Sequence, residues 1–523
     1  MKFSTLDLWI LGIYCVGIIS LAYWVSRDKG NGKTPEDYFL AGRSLPWWAV
    51  GASLIAANIS AEQIIGMSGQ GYVVGMAIAT YELTAAIALI VMAKYFLPIF
   101  LEKKIYTMPQ FLEQRFDKWV CLVLSLFWVA VYIFINLTSV LWLGSLAINS
   151  LTGLDISYGL WALAILSLAY SLWGGLKAVA ITDVIQVSLL IFGGLAVSYI
   201  ALDKISESQG VLMGAQILFE ALPEKFNMIL EADHPNYSDL PGVWVLIGGL
   251  WVAHFAYWGF NQYITQRALG AKSLQEAQKG VMFAAFLKLL MPLVVVLPGI
   301  CAVMLLPPLK SGEFDTTYPQ MMSLLPSGLL GLTFAALVAA IVSSLASMTN
   351  SVSTIFTMDI YKQFIAKDVT DKKLVLVGRC VALTSVVVAV LCAQPLLGNL
   401  ESAFQYIQNF TGFFTPGILV IFLVALFWKK ATSLSVFVAA IASLFLSLGM
   451  YLLAPDNFPF QHRMGIVFFV TGFLCFITAY FQGFEDQKKA IILSDINFQT
   501  SSSFNRATVI IVSILGVIYA IWW

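Results

Sequence analysis

Long apolar runs separated by short polar segments dominate the chain. A helix needs about 20 mostly apolar residues to cross the hydrocarbon core of a bilayer, and about fourteen runs approach that length. We therefore predict an all-α polytopic membrane protein surrounded by a lipid bilayer. Its predicted spans lie at 6–25, 46–70, 76–101, 120–149, 157–175, 178–201, 243–266, 278–306, 328–358, 374–398, 402–428, 432–454, 464–482 and 507–523.

Positive charge alternates along the loops between these spans. Most of the 29 Lys and Arg residues fall in every second loop. Loops rich in Lys and Arg stay on the cytoplasmic side, so both termini are predicted to lie outside. We expect a plasma membrane location, which in a bacterium is the inner membrane, with both termini in the periplasm. The first apolar run lacks a basic leader and a cleavage site, so we expect it to remain as a helix.

The amino-acid composition argues against several classes of function. The chain is 59% hydrophobic and only 11% charged, against about 25% charged residues in a soluble domain. Its net charge of zero argues against a nucleic-acid partner. The six cysteines and three histidines form no spacing typical of a transition-metal site. We also find no nucleophile–base pair, so we do not expect an enzyme.

Polar residues within apolar spans are costly and usually face a cavity. The second span contains Asn58, Ser60, Glu62 and Gln63 within six positions. This group suits a polar cavity or a helix whose backbone opens, and an interhelical hydrogen-bond seam is the alternative.

Three charged residues also lie within or beside spans. Glu82 and Lys288 either line a cavity, where they would bind hydroxyls or a carboxylate, or form a structural ion pair. Asp183 begins the sixth span, where it either attracts a departing cation or caps a helix.

The ninth span places Ala340, Ser343 and Ser344 on one helical face, because positions i, i+3 and i+4 lie together. Two hydroxyls and a carbonyl would suit a hard cation. From composition alone, helix packing explains these small residues better.

Two segments combine amide side chains with aromatic rings, which is typical of sugar recognition. They are Phe404–Asn409 in the eleventh span and Trp251–Asn261 in the seventh. Aromatic residues at the membrane interface are the alternative explanation.

These residues belong to longer segments that resemble the solute:sodium symporter family, and within it the bacterial sodium/sugar symporters. The similarity runs along most of the chain and weakens in the outer loops and beyond about residue 430. The matching segments are EDYFLAGRSLPWWAVGASLIAANISAEQIIGMSG, WGGLKAVAITDVIQV, WGFNQYITQR, FAAFLKLLMP, AALVAAIVSSLASMTNS and FQYIQNFTG.

The resemblance implies the LeuT-type fold, in which five helices repeat with inverted topology and the first helix of each repeat is broken at mid-membrane. It implies five parts: a first helix with its inner loop, a five-helix repeat, an outer loop, the inverted repeat and three further helices. Their expected bounds are 1–45, 46–201, 202–242, 243–430 and 431–523. The outer loop is either a solvated acidic segment or a cap over the outer mouth.

The resemblance also implies the residues of each site. The sodium site would use Ala56, Ile59, Ala340, Ser343 and Ser344, with Asp183 linked to sodium release. The substrate site would use Asn58, Gln63, Glu82, His254, Lys288 and Gln408. The outer gate would be Met67, Tyr81 and Phe404, and the inner gate Tyr257 with Trp258.

The implied function is sodium-coupled import of a monosaccharide similar to galactose or glucose, with Na⁺ as coupling ion. Galactose-transporting relatives have Asn at the position of His254 and Ser at that of Ala85, so another hexose or inositol stays open. A carboxylate such as a sialic acid or an organic acid is a further alternative, and a sensor or channel of the same fold is more remote. The sequence leaves open whether the protein forms a homodimer.

Overall fold

The computed structural model describes residues 3–26, 34–310, 312–398, 403–455 and 458–523, without the side chains at 170–174, 403–406 and 409. Within these ranges the regular structure is helical, and the one extended pairing is a bridge between Leu45 and Ala271. The prediction of an all-α protein is therefore confirmed. Eleven helices in the described ranges can cross a membrane by length and composition, or twelve if one bent pair is a single span. The count of fourteen stays a prediction.

Twenty-four α-helices are described. They are α1 (Thr5–Ser26), α2 (Pro35–Leu40), α3 (Trp47–Asn58), α4 (Met67–Val73), α5 (Thr80–Leu83), α6 (Ala85–Val91), α7 (Leu97–Glu102), α8 (Met108–Arg115), α9 (Lys118–Val131), α10 (Thr138–Thr152), α11 (Ile156–Ile205), α12 (Val211–Ala221), α13 (Trp244–Ile247), α14 (Leu250–Phe260), α15 (Gln262–Leu269), α16 (Leu274–Met291), α17 (Leu297–Leu305), α18 (Thr317–Met322), α19 (Leu329–Ile355), α20 (Asp371–Leu397), α21 (Ala403–Phe427), α22 (Ser433–Leu453), α23 (Phe460–Phe481) and α24 (Ser502–Ile521). Wider π-helical turns continue five of them, at Glu62–Gly66, Met92–Phe96, Tyr132–Leu137, Pro292–Val296 and Phe356–Ile365.

Two predicted spans are interrupted. The run at 46–70 forms α3 and a second helix, Glu62–Val73, which is bent away from it by 60°. The run at 243–266 consists of α13, α14 and the start of α15. Breaks of this kind leave backbone groups without intrahelical partners in the middle of the chain's apolar segments.

Two other predicted spans, 157–175 and 178–201, form the two arms of α11. The arms meet at Gly175, whose φ of 59° and ψ of −160° are not helical. A Cβ atom there would lie 2.3 Å from the carbonyl oxygen of Tyr38. Glycine is therefore required at this corner for its backbone conformation and for the close approach of α2.

Burial separates a central group of helices from a peripheral one. Helix α19 and its π-helical continuation are 89% buried over their most apolar stretch, whereas α1 is 11% and α24 17% buried. The peripheral helices expose large apolar side chains such as Trp9, Phe469 and Val509. These exposed apolar side chains suit contact with lipid. The polar residues of the central helices face one another instead of the lipid.

Candidate functional site

The site is organised around the break between α3 and α4. Helix α3 ends at Asn58, and Ile59 adopts an extended conformation with φ −80° and ψ 96°. Beyond the break, the side-chain oxygen of Gln63 accepts hydrogen bonds from the Ser60 amide at 3.1 Å and hydroxyl at 2.9 Å. The Ser60 hydroxyl oxygen accepts from the Glu62 amide at 3.2 Å. These polar side chains satisfy the backbone donors that the break exposes, as a helix cap does.

The five predicted sodium ligands are all buried, at this break and on α19. The Ser344 hydroxyl lies 3.3 Å from the carbonyl oxygen of Ala56 and 3.2 Å from that of Ala57. Helix α19 therefore contacts the end of α3 at the predicted ligands. These groups offer oxygen atoms, the donors that hard cations prefer.

Asp183 joins this group from α11. One of its carboxylate oxygens accepts from the Ser343 hydroxyl at 2.5 Å, and the other accepts from Ser53. The carboxylate thus lies directly beside a predicted sodium ligand. The position fits a negative charge that attracts a cation leaving the site.

Arg267 follows the predicted span 243–266, so the hydropathy pattern assigns it to a loop, whereas the structure buries its charge. It is completely buried in α15, where it donates to Ser53 at 3.2 Å and to Ser347. A buried cation close to Asp183 offsets part of the cost of burying that carboxylate. Nothing in the pattern of charge along the chain distinguished it from a loop arginine.

A second group of side chains surrounds a cavity of about 120 Å³. All six predicted substrate residues line it: Asn58, Gln63, Glu82, His254, Lys288 and Gln408. Four predicted gate residues also line it, namely Met67, Tyr81, Tyr257 and Trp258. The side chain of the fifth, Phe404, lies outside the described residues.

An ion pair crosses this cavity. The Lys288 ammonium lies 2.5 Å from the Glu82 carboxylate, and both side chains are almost completely buried. Lys288 also donates to the side-chain oxygen of Asn58, and its nitrogen lies 5.0 Å from the ring centre of Trp258. Each charge is thus compensated, as buried charges must be.

The predicted inner gate contacts the same asparagine. The Tyr257 hydroxyl oxygen accepts from the Asn58 amide nitrogen at 3.0 Å and from the Tyr263 hydroxyl at 2.7 Å. The ring of Trp258 meets that of Tyr257 edge-on, with centres 5.2 Å apart. Asn58 therefore links the ion pair to the inner gate.

The hydrogen bonds of His254 fix its tautomer. The Thr84 hydroxyl has a single hydrogen, which it donates to the Thr80 carbonyl oxygen at 2.6 Å. Its contact with the His254 Nε2 atom at 2.7 Å must then use a hydrogen on Nε2. Neutral imidazole with Nε2 protonated has Nδ1 as an acceptor. His254, which lines the cavity, therefore carries its acceptor on Nδ1.

Glu62, which the sequence placed in the polar group of the second span, lines the cavity and accepts from the Ser139 hydroxyl at 2.8 Å. Asn136, by contrast, was missed from the sequence. It lines the cavity from the π-helical turn Tyr132–Leu137. The available signal was an amide in the middle of an apolar run, which interhelical hydrogen bonding explains equally well.

The model of the Sodium:solute symporter family matches residues 38–443, which is most of the chain. The sodium/glucose cotransporter of Vibrio parahaemolyticus is 50% identical over 539 residues, covering 99% of this chain and 98% of the relative. The chain belongs to the sodium:solute symporter family. It is accordingly a sodium-coupled transporter and a multi-pass membrane protein rather than an enzyme, as the sequence predicts.

Two further similarities broaden this comparison. The human sodium/myo-inositol cotransporter 2 is 31% identical, covering 84% of this chain and 69% of the relative. The solved outward-open structure of a sodium-coupled sialic acid symporter superposes with a TM-score of 0.80 at 22% identity. It covers 92% of this chain and 98% of that chain. The second similarity concerns the fold alone.

Proposed function

We propose that this symporter imports a neutral monosaccharide together with Na⁺ by alternating access. The observation that carries the proposal is the convergence of all six predicted substrate residues on one cavity. That cavity meets the oxygen-rich sodium region at the break in the second span, where Asn58 follows Ala56 and Ala57 by one or two residues. The 50% identity to a sodium/glucose cotransporter supports the same solute class.

The chemistry of the cavity favours hydroxyl groups. Glu82, Gln63 and Gln408 provide carboxylate and amide groups, which form hydrogen bonds to alcohols. Lys288 is already paired with Glu82 at 2.5 Å. A carboxylate substrate would compete with that partner, so the ion pair argues against a sialic acid or another organic acid.

A polyol such as myo-inositol is the second candidate. Ala85 has no hydroxyl where galactose-transporting relatives have one, and His254 presents an acceptor bound in place by Thr84. Sites built around substrate hydroxyls discriminate strongly through single hydrogen bonds. The 31% identity to a sodium/myo-inositol cotransporter supports including inositols in any substrate test.

Sodium would act by holding α19 against the break. In the proposed site, the carbonyls of Ala56, Ile59 and Ala340 and the hydroxyls of Ser343 and Ser344 ligate the ion. The contact between Ser344 and the end of α3 supports this assignment. An ion bridging the two helices favours the arrangement in which Asn58 faces the sugar, and this preference supplies the coupling. Asp183 would receive the ion as it leaves.

Transport would proceed between two gates. Met67, Tyr81 and Phe404 form the proposed outer gate, and Tyr257 with Trp258 the inner one. Once the loaded protein turns inward, sodium leaves first and loosens the link between Asn58 and Tyr257. Each charge moved inward gains about 2.3 kcal/mol per 100 mV of membrane potential. One sodium ion per cycle is therefore enough to concentrate a neutral sugar.

The architecture proposed for this cycle is the inverted repeat of five and five helices at 46–201 and 243–430, within fourteen spans. The breaks after Asn58 and after Phe260 support it, because each lies in the first span of its proposed repeat. The first helix with its inner loop, 1–45, and the last three helices, 431–523, would lie outside the repeats, and both termini would lie in the periplasm of a bacterial inner membrane. A homodimer is also proposed, and measurement of the particle mass in detergent tests it.

Uptake into proteoliposomes tests the function. We expect accumulation of labelled hexose or inositol with sodium outside, little with potassium outside, and faster uptake when the interior is negative. A sialic acid and a short organic acid serve as controls and should not accumulate. Sodium-independent uptake would contradict the coupling, and transport of acids alone would contradict the solute class.

A further inference from the structure

Tyr81 lies between two cavities. It lines the inner cavity of about 120 Å³ together with Gln408, and both residues also line an outer cavity of about 440 Å³. A solute that moves from the outer cavity to the inner one must therefore pass Tyr81. Whatever holds this ring affects access to the substrate site.

Helix α23, which lies outside the proposed repeats, holds the Tyr81 hydroxyl. The amide nitrogen of Gln461 donates to it at 3.0 Å, and Gln461 is only 1% exposed. This hydrogen bond ties the position of the Tyr81 ring to α23. The Gln461 backbone packs closely against the start of α14, since a Cβ atom at Gly249 would come within 1.9 Å of its carbonyl oxygen.

Helix α24 holds the neighbouring residue. The Tyr519 hydroxyl donates to the Thr80 hydroxyl at 2.9 Å. Three residues later, the Trp522 carbonyl oxygen accepts from the Met228 amide of the outer loop at 2.7 Å. The end of α24 is therefore anchored both to the start of α5 and to the loop above it.

We propose that Gln461 and Tyr519 are positioning residues of the outer gate. Together they fix the Thr80–Tyr81 pair, so that the Tyr81 ring separates the two cavities. The C-terminal helices thereby control access to the site from outside. This inference rests on the proposed function for the identity of the solute, and the gate itself can be tested without any solute.

Thiol labelling measures access past the gate. A cysteine replaces Thr411, which lines the inner cavity, in a full-length chain whose six native cysteines are changed to alanine. We expect Gln461→Met and Tyr519→Phe each to raise the rate of labelling from the outer side. Thr471→Val is the matched control, since Thr471 is buried on α23 and has no described side-chain partner. Unchanged rates in both test variants would overturn the proposal.

A double-mutant cycle separates positioning from a general loss of structure. If Gln461 acts through the tyrosine hydroxyl, Gln461→Met should add little to the labelling rate of Tyr81→Phe. Additive increases would show that Gln461 acts elsewhere and would contradict the proposal. Tyr519→Phe removes a single oxygen atom, so it reports on the gate even if Gln461→Met folds poorly.

The effect on transport should be confined to the outer side of the membrane. Loss of one hydrogen bond predicts a roughly three- to tenfold higher KM for external sugar in Gln461→Met. The KM for efflux from the inner side should stay unchanged, and a merely structural role would alter both. An equal change on the two sides would contradict the proposal. Failure of the unmodified protein to transport any sugar would instead overturn the proposed function and leave the labelling result interpretable.

Discussion

The serine pair of α19, Ser343 and Ser344, has two possible explanations, which are helix packing and ion binding. Small residues at helix contacts are explained by close packing alone. In the structure the Ser343 hydroxyl faces the Asp183 carboxylate, and the Ser344 hydroxyl faces two carbonyl oxygens. Helix packing also uses such interhelical hydrogen bonds, so the sodium dependence of a variant has to decide between the two explanations.

Ser343→Ala should therefore weaken sodium binding. Loss of one ligand to a charged group predicts a half-saturating sodium concentration that is roughly tenfold higher or more. Sodium-dependent uptake in proteoliposomes measures it. Ser385→Ala is the control, because Ser385 is buried in α20 and bonds only to the carbonyl of Ala382 in its own helix. An unchanged sodium dependence in Ser343→Ala would exclude this ligand.

His254 gives a prediction about substrate choice. Its Nδ1 atom accepts, so we expect the substrate to donate a hydroxyl hydrogen to it. An analogue with fluorine at that carbon cannot donate and should be transported as poorly as the deoxy analogue. Efficient transport of every fluoro analogue would show that Nδ1 accepts no substrate hydroxyl hydrogen and would contradict this prediction.

Two amide substitutions at His254 separate the roles of its two ring nitrogens. His254→Gln places an amide near Nε2 and preserves a donor to Thr84, whereas His254→Asn places one near Nδ1. We expect the glutamine variant to lose discrimination between hydroxyl and fluorine, and the asparagine variant to retain it. The ratio of kcat/KM values for the paired substrates measures this difference.

At the scale of elements, the outer loop is attached to the helix that carries the break. Lys225 donates from its ammonium to the carbonyls of Tyr72 at 3.1 Å and Val73 at 2.7 Å. These are the last carbonyls of α4, where a positive charge is favourable. Burial lowers the pKa of Lys225, and Glu224 partly offsets this. Lys225 therefore attaches the outer loop to the end of α4.

Lys225→Met should loosen the end of α4. The variant leaves carbonyl groups without their donor, at a cost of about 1 kcal/mol in local stability. Hydrogen exchange measured by mass spectrometry should become faster at residues 72–76. Lys204→Met is the control, because Lys204 is exposed in the same outer region. Equal exchange in the two variants would contradict the attachment.

The sequence predicted the elements better than their interruptions. Apolar length alone located the transmembrane segments, because the bilayer fixes that length. The break after Asn58 left no proline to mark it, and only the polar residues around Gln63 suggested it. The arms of α11 appeared as two separate spans, since the tertiary contact that requires Gly175 is invisible in the pattern.

The site residues likewise fall into those that the sequence predicts and those that it does not. Glu82 and Lys288 stood out as charges within spans, the family resemblance assigned both to the substrate site, and they lie together at 2.5 Å. Other pairs far apart in sequence were not predicted: Thr84 meets His254, and Arg267 lies buried near Asp183. Such pairs depend on how the helices cross, which neither hydropathy nor charge specifies.

At the scale of the whole molecule, the number of spans must place all the loops rich in Lys and Arg on the same side of the membrane. The proposed number of fourteen spans is even and would place both termini on one side. Eleven helices qualify as spans in the described ranges, with the bent pair as a twelfth. The remaining two would be the first arm of α11 and the interrupted segment from α13 to α15. Each is needed to keep the positive loops on one side.

Single-cysteine labelling tests this arrangement. Starting from the chain without its native cysteines, a new cysteine replaces Gln209 in the outer loop, Asp486 in the inner loop or the terminal Trp523. An impermeant thiol reagent added to intact cells should label positions 209 and 523 but not 486. Permeabilised cells supply the control, because all three positions should react there. Labelling of 523 on the opposite side from 209 would remove one span between them and contradict both the fourteen-helix count and the placement of the C-terminal helices beside the outer gate.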